Sequence, residues 1–300
     1  MKNKFDTITS VFPPTTVAAT TSVLTGKYPC ETGWLGWRGY FMDQDAIVDM
    51  FNSNITATST VLTPTTWERY PVKHLKDYIN EKYNEECAVN LMGHTMFEHG
   101  KYDAKVFFSK VDDAIKHGYK YIYAYYPDPD ATLHGCGNYS KETSNTIKSI
   151  NDNLEQLVKN NPDVLFISIA DHGHIDIKLC SLDEHSDLYD TLATPYFCEA
   201  RAGMINIKKG REKEFEKLFD KYYKEHFELY SKKEIVEKQI FGYSTNYCHD
   251  YDKILGDYLM VSKDEYTLFF ENYDSSGMLS THAGGTKREG LINISVYNNL

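Results

Sequence analysis

Three short apolar runs, separated by amphipathic helical segments, constrain the fold of this chain most strongly. The runs extend from Cys87 to Met92, from Tyr119 to Tyr126 and from Val164 to Ala170, and they have the length of buried strands. Helical spacing with one polar face runs from Ala104 to His117 and from Lys141 to Asn160. Because strands that alternate with helices favour crossover connections, the sequence predicts an α/β fold with a mostly parallel sheet covered on both faces.

Polar clusters follow two of these predicted strands. Residues 128–134 come after the run that ends near Tyr126, and the Asp-His-Gly-His segment at 171–174 comes directly after Ala170. In open α/β sheets, ligands bind at the carboxyl ends of the strands. We therefore expect the chemistry of the protein at this edge of the sheet.

The length and composition favour one large domain. A chain of 300 residues with 41% hydrophobic content can bury a substantial core. The texture changes between Pro195 and Phe241, where a charged helix from Arg211 to Phe227 and a second from Ser231 to Gln239 are predicted. We predict a single domain over residues 1–300, with 195–241 as a cap or peripheral layer inserted between the last two polar clusters.

The net charge of −11 argues against binding to nucleic-acid polymers, because an acidic surface repels phosphate backbones. A phosphate-bearing substrate would need a local positive centre such as metal ions. Six cysteines without a CxxC pair are interpreted as free thiols in a reducing cytoplasm. No run of about 18 apolar residues could cross a bilayer, so we expect a cytoplasmic protein that does not bind membranes.

A Pro-Pro-Thr-Thr segment at residues 13–16 precedes a predicted helix that ends at Thr25-Gly26. One interpretation is an ordinary N-cap, since threonine accepts hydrogen bonds from the first free N–H groups of a helix. The other is a reactive hydroxyl, because the positive end of the helix dipole favours both a developing alkoxide and a bound phosphate. The segment alone does not decide between them.

Asp130 and His134 stand four residues apart just after the second predicted strand, and Asp128 is a rival acidic ligand. Zinc prefers such mixed nitrogen and oxygen donors, whereas magnesium and calcium prefer oxygen alone. A polar turn in which the aspartate caps the backbone is the alternative interpretation.

Asp171 and His172 are adjacent ionisable residues at the end of a buried strand. Their desolvation is costly unless something compensates it, which favours metal ligation. His174 is left open as either an outer partner of the metal or an exposed side chain. His282 lies in a glycine-rich turn, which suits either a close approach to a ligand or an ordinary loop.

In order and spacing, these four segments resemble the type I phosphodiesterase and nucleotide pyrophosphatase family of the alkaline phosphatase superfamily. The resemblance extends over nearly the whole chain, and residues 32–37 also look like bacterial members. It implies an alkaline-phosphatase-like, three-layer α/β/α sandwich with an inserted cap. The family register, counted back from Thr25-Gly26, selects Thr16 over Thr15, and it likewise selects Asp130 over Asp128.

The resemblance also implies a two-zinc site, with manganese as the alternative metal. The implied ligands are Asp130, His134 and His282 for one ion, and Asp171, His172 and the Thr16 oxygen for the other. Thr16 would be the nucleophile that forms a phosphothreonine while a phosphodiester or pyrophosphate bond of a small phosphate ester is cleaved. The alternatives are another hydrolase or transferase of the superfamily, such as a phosphatase, a phosphonate hydrolase or a mutase, and an inactive binding protein.

Two positions depart from the family pattern. The family has a further metal-ligand aspartate at the end of a strand upstream of the nucleophile, whereas Asp6 is the only acidic residue before Thr16. A strand, crossover helix and return need roughly 30 residues, so we predict that this sequence lacks that strand and its ligand. Ala19 stands where nucleotide pyrophosphatases carry an asparagine. We expect substrate specificity to reside in Trp34, Trp37 and the 195–241 region.

Overall fold

The computed structural model describes residues 2–93, 102–269 and 277–298. The helices are α1 (Thr16–Thr25), α2 (Pro29–Thr32), α3 (Thr66–Arg69), α4 (Leu75–Tyr83), α5 (Ala104–His117), α6 (Asp130–Cys136), α7 (Lys141–Asn160), α8 (Ser186–Tyr189), α9 (Glu212–Tyr222), α10 (Lys232–Glu237), α11 (Tyr251–Ile254) and α12 (Lys287–Gly290). The first eight strands are β1 (Lys2–Thr9), β2 (Arg38–Phe41), β3 (Ala46–Asp49), β4 (Asn54–Ile55), β5 (Ala88–Met92), β6 (Tyr121–Tyr125), β7 (Phe166–Ile169) and β8 (Ile175–Asp176). The others are β9 (Lys178–Cys180), β10 (Phe197–Cys198), β11 (Ala202–Ile205), β12 (Phe227–Ser231), β13 (Tyr258–Ser262), β14 (Tyr266–Leu268), β15 (Ser280–Thr281) and β16 (Leu291–Asn298).

The strands pair mainly in antiparallel ladders. The largest sheet has the order β12-β13-β11-β10-β2-β3-β4 and is antiparallel throughout. β7 pairs with β16, which pairs with β1, and both of these ladders are antiparallel too. Only the β5–β6 and β9–β14 ladders of the described residues are parallel. The expectation of a mostly parallel sheet is therefore not confirmed, because apolar periodicity identifies strands without indicating the direction of their partners.

The two long helices of the α/β part have the predicted bounds. Both begin after a side-chain cap: Asp103 accepts hydrogen bonds from the first free N–H groups of α5, and Ser140 accepts one in α7. α9 is shorter than predicted, because it ends at Tyr222 and Phe227 already starts β12. β5, β6 and β7 all lie within the apolar runs that predicted them.

β7 is not the fully buried strand that its sequence predicts. Phe166 packs against the cluster of Phe107, Val111 and Leu157 between α5 and α7. On the opposite face, Ile167 is 59% exposed, and its neighbours two residues away are exposed as well. Because β7 is covered on one face only, its apolar run is half-buried. The polar cluster that follows it nevertheless lies at its carboxyl end, as predicted.

The apolar core is densest around the seven-stranded sheet. Two clusters of buried residues cover its faces, one including Phe215 and Phe219 of α9 and the other including Leu259 of β13. Burial of such side chains contributes on the order of 1.5–3 kcal/mol each. The seven-stranded sheet, which includes strands from the 195–241 region, is therefore a strongly packed part of the fold.

Two predictions from composition can be compared with the structure. All six cysteines are free thiols, as predicted. Over the described ranges of the chain, no helix combines the length and the apolar character that a membrane span requires.

Candidate functional site

Thr16 is the first residue of α1, and its side chain faces a cluster of imidazoles. Its Oγ1 lies 3.1 Å from Nε2 of His172. Thr15 has a different role, because it is buried and its hydroxyl donates to Oε1 of Glu199 at 2.7 Å instead of capping the helix. The two adjacent threonines are thereby distinguished, and only Thr16 presents its hydroxyl to the imidazoles.

Asp130 lies at the centre of the cluster. Its Oδ1 is 2.6 Å from Nε2 of His174, 3.3 Å from Nε2 of His134 and 3.7 Å from Nε2 of His282. Asp128 is occupied elsewhere, since its carboxylate accepts hydrogen bonds from the backbone and side chain of Thr132 in α6. The structure therefore brings Asp130 to the site and leaves its rival as a helix-stabilising residue.

Four donor atoms converge here, one each from Asp130, His134, His174 and His282, and they lie within 4.8 Å of one another. We call these residues the four-donor group. Thr16, Asp171 and His172, which we call the nucleophile group after the role that the sequence analysis predicts for Thr16, lie beside it: Nε2 of His172 is 3.9 Å from Oδ1 of Asp130. The rings of His172 and His282 stack with centroids 3.7 Å apart. All the sequence-predicted ligands thus meet at one place.

Hydrogen bonds to carbonyl oxygens orient three of the imidazoles. Nδ1 of His134 donates to the backbone oxygen of Ser280 at 2.8 Å, Nδ1 of His282 to that of Pro14 at 3.2 Å, and Nδ1 of His172 to that of Gly173 at 3.1 Å. A carbonyl oxygen can only accept, so each Nδ1 carries the proton in the neutral ring. Each Nε2 is then left as a lone-pair donor that points towards the site.

Asp171 has a buried oxygen without a hydrogen bond. Its Oδ1 accepts from the backbone N–H of His172 at 3.1 Å, whereas Oδ2 accepts none and lies 3.5 Å from Nε2 of His172. A buried carboxylate oxygen without a partner is costly. It is the arrangement expected of an oxygen that binds a cation.

Close backbone contacts place the residues around His172 and His282. A side chain at Gly173 would overlap with the backbone oxygen of Arg288, and Gly173 itself donates to the backbone oxygen of Glu289. Gly284 donates to the carboxylate of Glu289, which forms a fully buried bidentate ion pair with Arg201. The glycine-rich turn thus permits a close approach to this ion pair, and the ion pair holds the turn that carries His282.

Burial and hydrogen bonding shift the pKa values of the site in different directions. Burial alone would raise the pKa of Asp130, but hydrogen bonds from His134 and His174 hold it well below its usual value. Burial lowers the pKa of His282 strongly, and the neighbouring His172 adds to the effect. Both shifts favour a carboxylate anion beside a neutral imidazole, which are the protonation states that ligate metals.

Sequence reasoning missed Glu199 and Tyr125 and left His174 undecided. Glu199 comes from the loop between β10 and β11 and reaches the backbone of Trp37 as well as Thr15. Burial raises the pKa of Tyr125, nearby carboxylates add to the rise, and a hydrogen bond with Thr16 opposes it. No local pattern indicates these contacts, because they join segments far apart in the chain.

The structure corrects the expectation for Trp34 and agrees with the one for Asp6. Trp34 is fully buried, where its ring packs on Trp67, so its side chain is not available to a substrate; Trp37 is 39% exposed. Asp6 is an exposed residue of β1, opposite Ile294 of β16, and its carboxylate accepts from the backbone of Thr7. Asp6 therefore does not replace the aspartate expected at the end of an upstream strand.

A comparison with protein families identifies the group to which this site belongs. The model of the type I phosphodiesterase/nucleotide pyrophosphatase family matches residues 2–286, which include every predicted site residue. The chain belongs to this family. It is accordingly an enzyme of the phosphodiester hydrolase class, and enzymes of this family depend on metal ions. No curated protein matches the chain significantly.

Solved structures with the same α/β fold include ectonucleotide pyrophosphatase/phosphodiesterase 5 from mouse and human. An inactive threonine-to-alanine variant of the mouse protein, in complex with AMP, has a TM-score of 0.69 at 14% identity, covering 97% of this chain and 79% of that one. A second structure of the mouse protein has a TM-score of 0.69 at 15% identity, covering 96% of this chain and 78% of that one. The human protein has a TM-score of 0.69 at 17% identity, also covering 96% and 78%.

Proposed function

We propose that this protein hydrolyses the phosphodiester or pyrophosphate bond of a small phosphate ester through a phosphothreonine at Thr16, on a two-metal site. The single observation that carries the proposal is the position of Thr16. Its hydroxyl lies at the beginning of α1, 3.1 Å from Nε2 of His172, beside the four-donor group. The inactivity of the mouse relative's threonine-to-alanine variant supports a threonine nucleophile.

The beginning of α1 suits a phosphoryl group. The first N–H groups of a helix have no partner within it, and the helix dipole places partial positive charge there. The first turn of α1 contains no acidic residue that would repel a phosphate. A phosphoryl group bound at this end would lie next to Oγ1 of Thr16, which is the proximity that attack by this hydroxyl requires.

The donor atoms fit divalent metal ions, and zinc best of all. Lone pairs on Nε2 of three histidines surround one carboxylate, which is the mixed nitrogen and oxygen set that zinc prefers. Oδ2 of Asp171, Nε2 of His172 and Oγ1 of Thr16 form a second, smaller set. When bound, the two cations would supply the Lewis acidity that lowers the pKa of the attacking hydroxyl and neutralises phosphoryl charge.

We expect Trp37 to contribute to the choice of substrate. Trp37 is 39% exposed, and its backbone N–H donates to Oε1 of Glu199, which also accepts from the hydroxyl of Thr15, so the segment that carries Trp37 is joined to the start of α1. Glu199 belongs to the 195–241 region, and its hydrogen bond from Thr15 brings this region to the start of α1. This contact supports the assignment of the region as a cap inserted in a three-layer α/β/α fold. A planar leaving group such as a nucleoside or aryl ester would suit the Trp37 ring. The AMP complex of the mouse relative supports a nucleotide ester.

The proposal is tested by replacing the two adjacent threonines separately. With zinc present, Thr16→Ala should lower the turnover of the p-nitrophenyl ester of a nucleoside 5′-monophosphate by about a thousandfold or more, because the nucleophile is lost. Thr15→Ala is the matched control, and it should retain most of the turnover, since it removes only the hydrogen bond to Glu199. Equal losses at the two positions, or full activity of Thr16→Ala, would refute the assignment.

The reaction class is tested with the same enzyme. p-Nitrophenyl phosphate, a monoester, should be hydrolysed more slowly than the diester if the site is built for phosphodiesters. A preference for the monoester would assign the chain to phosphatase chemistry instead. Denatured protein from a rapid-quench reaction with a radiolabelled diester should carry label on Thr16.

A further inference from the structure

We infer that His174 is a fourth protein ligand of the metal ion that Asp130, His134 and His282 would hold. The family resemblance implies only three protein ligands for this ion, and His174 is outside that set. The inference rests on the proposed function, because it concerns the same metal centre. It is carried by hydrogen bonding, strand register and distances within the described residues.

The hydroxyl of Ser280 determines the tautomer of His174. Ser280 Oγ lies 2.8 Å from the backbone oxygen of Leu133, which can only accept, so the single hydroxyl proton is donated there. Ser280 Oγ can then only accept from Nδ1 of His174, at 2.9 Å. Nδ1 of His174 therefore carries the ring proton, and Nε2 is a lone-pair atom in the neutral imidazole.

Nε2 of His174 nevertheless lies 2.6 Å from Oδ1 of Asp130. Two lone-pair atoms at this distance repel each other unless a cation is shared between them. The cation is either a second ring proton or a metal ion. Because the Nε2 atoms of His134 and His282 converge on the same carboxylate oxygen, within 4.8 Å of each other and of His174, a metal ion satisfies all four atoms at once, whereas a proton satisfies one pair.

Strand register explains why His174 reaches the site. β8 and β15 pair antiparallel, with Ile175 opposite Thr281. One residue further along this register, His174 stands opposite His282, and cross-strand neighbours of this kind have adjacent side chains. The ring centroids are 5.2 Å apart, and the centroid of His174 is also 4.7 Å from that of His134. The ladder that places one ligand therefore places the other.

A fourth protein donor changes what the metal can do. Zinc with four protein ligands is typical of closed sites, whereas catalytic zinc keeps an open position for water or substrate. The four-donor group would therefore bind zinc tightly and accept a phosphoryl oxygen only by expanding to five ligands. The open positions for substrate would belong mainly to the metal of the nucleophile group.

The test compares zinc affinity and cobalt absorption of the full chain and its variants. His174→Leu should raise the zinc dissociation constant by more than about 100-fold, since losing a ligand exceeds the 10–100-fold cost of losing an outer partner. Cobalt(II) bound at one equivalent should lose the intense visible absorption of a tetrahedral site. His226→Leu is the matched control, because His226 is also paired with an aspartate, Asp264, but lies outside the site.

A change in zinc affinity below about 100-fold, or an unchanged cobalt spectrum, would overturn the inference. If His174→Leu fails to fold, X-ray absorption of the wild-type protein with one equivalent of zinc decides: three imidazoles support the inference and two overturn it. His282→Ala separates this inference from the proposed function. If His282→Ala loses zinc while His174→Leu retains it, only the role of His174 is wrong; if both retain zinc, the proposed metal centre fails as well.

Discussion

The four-donor group and the nucleophile group meet at one site but differ in how completely their polar atoms are partnered. Around Asp130, each of the three imidazoles is oriented by a hydrogen bond from Nδ1, and their Nε2 atoms converge on one oxygen. In the nucleophile group, Oδ2 of Asp171 accepts no hydrogen bond. Under the proposed function, the first group would hold its metal ion with more protein ligands than the second.

Two carboxylates, one in the four-donor group and one beside the nucleophile group, have opposite pKa shifts. Hydrogen bonds from imidazoles overcome the effect of burial at Asp130 and hold its pKa well below the usual value. At Glu199, which contacts Thr15 next to the nucleophile, burial dominates over its hydrogen bonds and raises the pKa to about 7. Burial disfavours the charged form of both carboxylates, and only at Asp130 do the hydrogen-bond partners outweigh that effect.

The largest effect is expected when the central anion of the four-donor group is neutralised. Asp130→Asn should raise the dissociation constant of the first zinc ion by more than about 100-fold, because a direct ligand and the only negative charge of the group are lost. Chelator competition followed by metal analysis measures this change. Phosphodiesterase turnover should fall with zinc occupancy.

Asp171→Asn is the matched substitution in the nucleophile group. It should leave the affinity for the first zinc ion within about tenfold of the wild type, because Asp171 lies outside the four-donor group, while it weakens the second ion. Equal effects of the two substitutions on the first ion would show that the two groups form a single, undivided site.

A smaller effect is expected from Glu199→Gln, measured as the pH dependence of unfolding in metal-free protein. A carboxyl group whose pKa is raised on folding stabilises the protein below its unfolded pKa, and this stability is lost as pH rises through the folded pKa, here about 7. Between pH 5 and pH 8 the wild type should lose up to about 3 kcal/mol of unfolding free energy through this group. The glutamine variant, which retains an acceptor for Thr15, should lose less.

Urea titrations of wild type and Glu199→Gln at several pH values provide the measurement. The variant should be comparatively more stable at pH 8 than at pH 5. Parallel stability curves for the two proteins would contradict the raised pKa of Glu199. The Asp130 carboxylate gives an internal contrast. Because its pKa is lowered on folding, it stabilises the fold at pH values above its unfolded pKa, and this stabilisation is lost as the pH falls through its folded pKa.

Local sequence signals predicted local structure well. Amphipathic spacing and the capping residues Asp103 and Ser140 are sufficient to give α5 and α7 with the predicted bounds. Strand pairing was not predictable in the same way, because the partner of β7 is β16, over a hundred residues away along the chain. The half-exposed state of Ile167 has the same origin, since exposure depends on which elements cover each face.

The candidate site shows the same limit. The register of the family resemblance selects Thr16 over Thr15 and Asp130 over Asp128, and the structure gives Thr15 and Asp128 other hydrogen-bond partners. A usable signal for His174 was present, because residues two apart in an extended segment share a face, and His172 was already assigned. Its contact with Asp130 depends on the β8–β15 ladder and required the structure.

Zinc titration of the metal-free wild-type protein tests most directly whether the two groups differ as described. Bound zinc is measured by mass spectrometry at free zinc concentrations fixed by a chelator buffer, and Thr16→Ala is titrated in parallel. The account predicts two steps, a tight first ion and a second ion bound at least about tenfold more weakly, with Thr16→Ala affecting only the second. Two ions of equal affinity, or no bound zinc, would contradict it.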